Sequence, residues 1–117
     1  MICHQAILPI KTSNPTNGSH GHWSKQARIR KAQRAETRLH LRNLIAVQFP
    51  VVIELTRIAP RELDDDNLRP ALKSIRDGVT DALGLTDDRD KRLTWEYGQR
   101  KGKPRQYAVD VKIKEQA

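Results

Sequence analysis

Between Leu63 and Asp88 the chain reads LDDDNLRPALKSIRDGVTDALGLTDD, with clustered carboxylates and one lysine set among aliphatic residues. On a helix turning about 100° per residue, Leu68, Leu72, Ile75, Val79 and Leu83 share one side. Asp66, Lys73 and Asp77 fall opposite them, spaced by seven and then four residues. Asp64 and Asp66 lie two apart in the lead-in, and an extended lead-in would point both to one face. Asp87 and Asp88 sit just past the helix, where the chain can return toward that face. Carboxylates gathered so closely repel unless a cation or raised pKa values relieve them. Their hard oxygens suit Mg²⁺ or Mn²⁺, which keep several waters and share phosphate oxygens. On a phosphodiester such a metal activates water, and Lys73 on the same face would neutralise developing charge. The same residues also read as plain structure. Asp66 or Asn67 would cap the helix and Asp87-Asp88 would make a solvated turn. An EF-hand is a poor reading: there is no Gly at the sixth loop position, and the twelfth residue from Asp64 is Ile75.

The surrounding pattern predicts the elements that would hold these groups. Residues 3–10 read as a short strand and 11–22, rich in Ser, Asn, Gly and Pro, as a loop. Trp23 to Val47 has no Gly or Pro and a helix-forming composition, with Ala32, Ala35, Leu39 and Ile45 as part of an apolar face. Residues 49–58 alternate as a half-buried strand, and a second helix runs from about Asn67 to Leu83, with Pro70 tolerated in its first turn. Gly84 ends that helix. Residues 93–99 form a strand, RKGKP at 100–104 a basic hairpin loop, and Tyr107, Val109, Val111 and Ile113 the inward side of a last strand. The expectation is a single α+β domain over residues 1–117, a mixed sheet packed with two helices in the order β-α-β-α-β-β.

Charge points to a polyanionic partner. The net charge is +8, from 22 Lys and Arg against 14 Asp and Glu, and a basic protein gains by releasing the counterions of phosphates. The acids are not spread evenly: Glu36 stands alone in residues 1–53, and most others fall between Glu62 and Glu96. Arg30, Arg34, Arg38 and Arg42 recur every four residues, with Lys25, Arg28 and Lys31 beside them.

Taken together, Asp64-x-Asp66-Asn67-Leu68, then Lys73-x-x-x-Asp77-Gly78, then Asp87-Asp88 after Gly84-Leu85, resembles the signature of the RusA family of Holliday junction resolvases. The basic helix opening Trp23-Ser24-Lys25 and the closing pair of strands resemble its phage-encoded members. The resemblance implies a homodimeric, Mg²⁺-dependent endonuclease (Mn²⁺ as substitute) that makes paired cuts in four-way DNA junctions. It implies Asp64, Asp66 and Asp88 as metal ligands, with Asp87 assisting, and Lys73 as the catalytic lysine. Here Lys73 follows Asp66 by seven residues, where shorter members have four, and both intervals keep one helical face. Asp65 leaves the register of the first pair open, and Asp90 is a further candidate ligand. Lys25, Arg30, Arg34, Arg38, Arg42, Arg69, Arg100, Lys101 and Lys103 are the candidate DNA contacts. Two other classes compete: a non-catalytic nucleic-acid-binding module whose aspartates only cap a helix, and a nuclease preferring flaps or forks.

Other features say less. A zinc site from Cys3, His4, His20 and His22 lacks a Cys-x-x-Cys and has a long interval after Cys3. Trp23 and Trp95 read as core or interface anchors, and no Gly-rich phosphate cradle or small-molecule cofactor motif occurs. The single cysteine fits a reducing compartment, and the N-terminal MICHQAILPIK lacks the charged and small-residue flanks of a signal peptide. No apolar run is long enough to cross a membrane, so a cytoplasmic location is expected.

Overall fold

β-Branched and aliphatic residues at alternate positions build a four-stranded mixed sheet in the computed structural model, which describes residues 2–12, 23–44 and 47–116. The elements are β1 (Ile2–Leu8), α1 (Trp23–His40), β2 (Val51–Ala59), α2 (Asp65–Ala71), α3 (Lys73–Ala82), β3 (Leu93–Lys101) and β4 (Ala108–Glu115). Strand order is β1-β4-β2-β3. β4 runs antiparallel to both β1 and β2, whereas β2 and β3 are parallel. A parallel pair requires a crossover, and α2 and α3 supply it. The two most buried strands, β2 and β4, take the centre. Residues 13–22 of the expected loop, with His20 and His22, and Ile45 lie outside the described residues.

One sheet face carries the core. Ile53, Leu55, Val109, Val111 and Ile113 meet Leu72, Ile75 and Val79 from the helices, all fully buried. The aliphatic stripe expected for residues 68–83 is therefore the buried one. The other sheet face is polar, with Lys114 donating to Glu54 at 2.8 Å and Lys112 3.9 Å from the same carboxylate. That division of faces is ordinary for antiparallel pairs with one wet side.

Four expectations need correction. The helix expected at 67–83 is two helices, so the described residues hold three: it starts at Asp65, and Leu72, at φ −101° and ψ 3°, breaks it. That start puts Pro70 inside α2 rather than in its first turn, where it has no N–H to give Asp66's carbonyl. The N-cap is Asp64, without a side-chain cap bond, and not Asp66 or Asn67. The lead-in is therefore helical from Asp65, and the extended geometry that would align Asp64 with Asp66 is absent.

The third correction is to the first helix, which stops at His40 and not Val47. Leu41 N–H reaches the carbonyls of Thr37 and Arg38, at 3.1 and 3.2 Å, and Leu44 N–H that of Leu41 in a tightened last turn. Arg42 adds a guanidinium bond to Leu39's carbonyl at 2.9 Å. The turn delivers Leu41 to the core. Ala32, Ala35 and Leu39 are exposed, and the docked side of α1 is Gln33, Thr37 and Leu41. A small residue makes that docking possible: a Cβ on Gly78 would sit 2.6 Å from Thr37 Cβ and 2.8 Å from Arg34's carbonyl oxygen.

Finally, residues 100–104 are not a hairpin loop. Arg100 and Lys101 belong to β3, and β2 lies between β3 and β4. The connection crosses the end of β2, where Gly102 N–H bonds Ala59's carbonyl at 2.8 Å.

Candidate active site

Helix α3 begins at Lys73, and its first turn sets Lys73 and Asp77 one above the other. Lys73 Nζ donates to Asp77 at 2.8 Å and to Asp88, across the turn that follows α3, at 2.6 Å. Asp88 is held from a second side by Arg76, whose Nε lies 2.6 Å from the same carboxylate oxygen. The Nε–H does not point along that contact and is buried without a hydrogen bond, so the interaction is charge against charge. Burial pushes the Asp88 carboxyl up, but Lys73's hydrogen bond and the charges of Arg76 and Lys73 outweigh it and hold Asp88 ionised. Burial likewise lowers Lys73, and Asp77 and Asp88 more than reverse it. Lys73 is thus a committed cation, suited to stabilise negative charge and unsuited to remove a proton.

The same lysine lines a groove of about 300 Å³ between α1 and α3, with Arg30, Lys31, Arg34, Ser74 and Asp77. Four of its six lining residues are cationic. Arg34 is engaged, its guanidinium gripping Asp81 at 2.6 and 2.8 Å, with Arg38 3.5 Å from the same carboxylate. Arg30 and Lys31 have no ion pair among the described residues and are the groove's available cations. The arginine stripe therefore splits: Arg30 faces the groove, Arg34 and Arg38 tie α1 to α3, and Arg42 caps its own helix. Lys25 is exposed on α1. Arg100 approaches Asp110 at 3.9 Å, and Lys101 and Lys103 are exposed at the far end of β3. None of these four lines the groove.

Asp66 opens elsewhere. With Asp65, Leu68, Arg69 and Tyr97 it lines a second hollow of about 410 Å³, to which Asp64 does not contribute. Arg69 is stacked 5.2 Å from the Tyr97 ring centre. Asp66 on α2 and Lys73 with Asp77 on α3 thus line separate hollows. Asp64, Asp65 and Asp66 are exposed and form no ion pair among the described residues. Asp87 takes the turn role, accepting from Arg89's backbone N–H at 2.9 Å. Asp90 is occupied too, pushed down to about 2 by the side-chain and backbone hydrogen bonds of Arg92. Cys3 and His4 are adjacent on β1, and Cys3 is exposed.

Among the described residues no three His, Cys, Asp or Glu side chains come together as a metal-holding group. Asp64, Asp66 and Asp88 form no closed cage. The donor chemistry still suits Mg²⁺, which is commonly bound by one or two carboxylates and completes its shell with water and phosphate oxygens.

Residue reasoning overlooked Arg76, Tyr97 and the part Trp95 plays. Tyr97's hydroxyl accepts from Arg76 Nη1, and Trp95 Nε1–H donates to Asp88's carbonyl at 2.8 Å. Alternation along β3 put both rings on the helix-covered face, but only the folded crossover shows Arg76 reaching them. No protein-family model matches the chain, and no curated protein matches it. No helix among the described residues is long and apolar enough to cross a membrane.

Proposed function

We propose that the chain is a Mg²⁺-dependent endodeoxyribonuclease of the RusA-like kind, hydrolysing phosphodiester bonds in four-way DNA junctions as a homodimer. One observation carries this reading: Lys73, tied to Asp77 and Asp88, lines the same groove as the available cations Arg30 and Lys31. A phosphate in the groove would take Arg30 and Lys31 as its holding charges and Lys73 as donor to the oxygen gaining charge. Asp77 and Asp88 would keep Lys73 protonated and aimed while it does so. Asp66, with Asp64 two residues before it, would hold the metal through one or two carboxylates completed by water and phosphate oxygens, and the metal would supply Lewis acidity and an activated water when bound. Two symmetric incisions call for two such sites, hence two subunits.

A second reading is favoured by the pairing of Asp88 with Lys73 and Arg76, which uses this carboxylate as a structural anion. On that reading the chain binds branched nucleic acid without cutting it. Incubation of an end-labelled four-way junction with the protein and Mg²⁺ or Mn²⁺, beside a linear duplex, separates the two. Metal-dependent symmetric nicks in the junction alone are expected. Tight binding with no incision in either metal would move the assignment to the binding module, and incision of flaps or forks in preference to junctions would change the substrate.

A further inference from the structure

We propose that Arg76 is the positioning residue of the site: it and Trp95 together hold Asp88 in place for Lys73. The inference rests on Asp88 belonging to the reacting site. Three contacts converge on this one residue from the two elements that flank its turn, α3 and β3. Arg76 Nε lies 2.6 Å from its carboxylate, Arg76 Nη2 donates to its carbonyl at 3.2 Å, and Trp95 Nε1 donates to that carbonyl at 2.8 Å. The guanidinium itself is fixed, stacked 4.7 Å from the Trp95 ring centre and bonded to the Tyr97 hydroxyl. Asp88 sits in a turn with no regular backbone ladder, so these side chains supply the order that a strand or helix would otherwise give. Lysine at position 76 would keep the charge but lose the forked reach to carboxylate and carbonyl together. A displacement of about an ångström at such a group is enough to cost about 10²-fold in rate.

The test compares wild type with Arg76→Met, Arg76→Lys and Trp95→Phe, the last removing the indole donor while keeping a smaller aromatic ring for the guanidinium, and serving if Arg76→Met fails to fold. In the metal-free protein, Arg76→Met is expected to shift the Trp95 indole N–H resonance and speed its solvent exchange, with the sheet amides unmoved. Trp95→Phe identifies that resonance. In junction cleavage, kcat should fall about 10²-fold in Arg76→Met and less in Trp95→Phe, with KM unchanged and partial recovery in Arg76→Lys. An unmoved indole resonance in Arg76→Met, or a loss confined to KM, overturns the proposal. If wild type cuts nothing, the nuclease reading fails by itself, and the indole resonance alone then decides whether Arg76 holds the Asp88 turn.

Discussion

Lys73 stands between two carboxylates, at 2.8 Å from Asp77 and 2.6 Å from Asp88, and this decides its chemistry. A lysine so placed keeps its proton at neutral pH and acts as a fixed charge. Replacing it by methionine should lower kcat for junction cleavage by roughly 10²–10³-fold, with junction affinity little changed. A comparable loss that resided in KM would instead make Lys73 a binding group. At this scale the sequence was partly legible. The four-residue interval from Lys73 to Asp77 announces a shared helix face. The meeting of Lys73 with Asp88, fifteen residues on, depends on how the turn after α3 folds back, and spacing cannot show that. The extended lead-in expected to align Asp64 with Asp66 is instead the first turn of α2, beginning at Asp65.

The seam between α1 and α3 governs the element scale, because the cationic groove lies in it. Gly78 allows the two helices to approach, and Gly78→Ala would drive a methyl group into Thr37 and the Arg34 carbonyl. The expected cost is about 1–3 kcal/mol, seen as a lower thermal midpoint with the groove disturbed as well. An unchanged midpoint would mean that the seam is looser than described. Arg34 and Asp81 make the seam sensitive to acid. Arg34's hydrogen bond, set against the opposing effect of burial, holds Asp81 below its ordinary value of 3.8. A carboxylate depressed in the folded state stabilises fully above the unfolded value and loses that contribution as pH falls through the folded one. Arg34 is about half exposed, so the pair contributes about 1 kcal/mol or less. Thermal melts at pH 6 and pH 3 should therefore show a smaller acid loss in Asp81→Asn than in wild type. Periodicity revealed the buried stripe of α2 and α3 because Leu68, Leu72, Ile75, Val79 and Leu83 recur along the segment they span. It misread α1, where alanines and Leu39 face solvent and the docking side is Gln33, Thr37 and Leu41, a pattern with no hydrophobic contrast.

Across the whole molecule, a net charge of +8 favours any polyanion, and under the proposed function the groove would make part of that attraction to DNA local. Neutralising Arg30 and Lys31 together should weaken junction binding and reduce the slope of log Kd against log salt by about 2, near one per lost phosphate contact. A slope equal to wild type would remove the groove from the DNA path. The strand patterns were legible at this scale, since Val51, Ile53 and Leu55 and the Val109, Val111, Ile113 series point inward as their alternation requires. The sheet order was not. Alternation says which face a residue takes and nothing about which strand lies beside it, so β3 and β4 read as a hairpin although β2 separates them.

The central claim is that the carboxylates of α2 and of the turn after α3 serve one reaction. Single-turnover cleavage of a four-way junction, with protein in excess and Mg²⁺ present, tests it by comparing wild type with Asp66→Asn and Asp88→Asn. Both variants should cut at least about 10²-fold more slowly while binding the junction as well as wild type or better, since each sheds a negative charge. Cleavage at the wild-type rate by either variant would contradict the account.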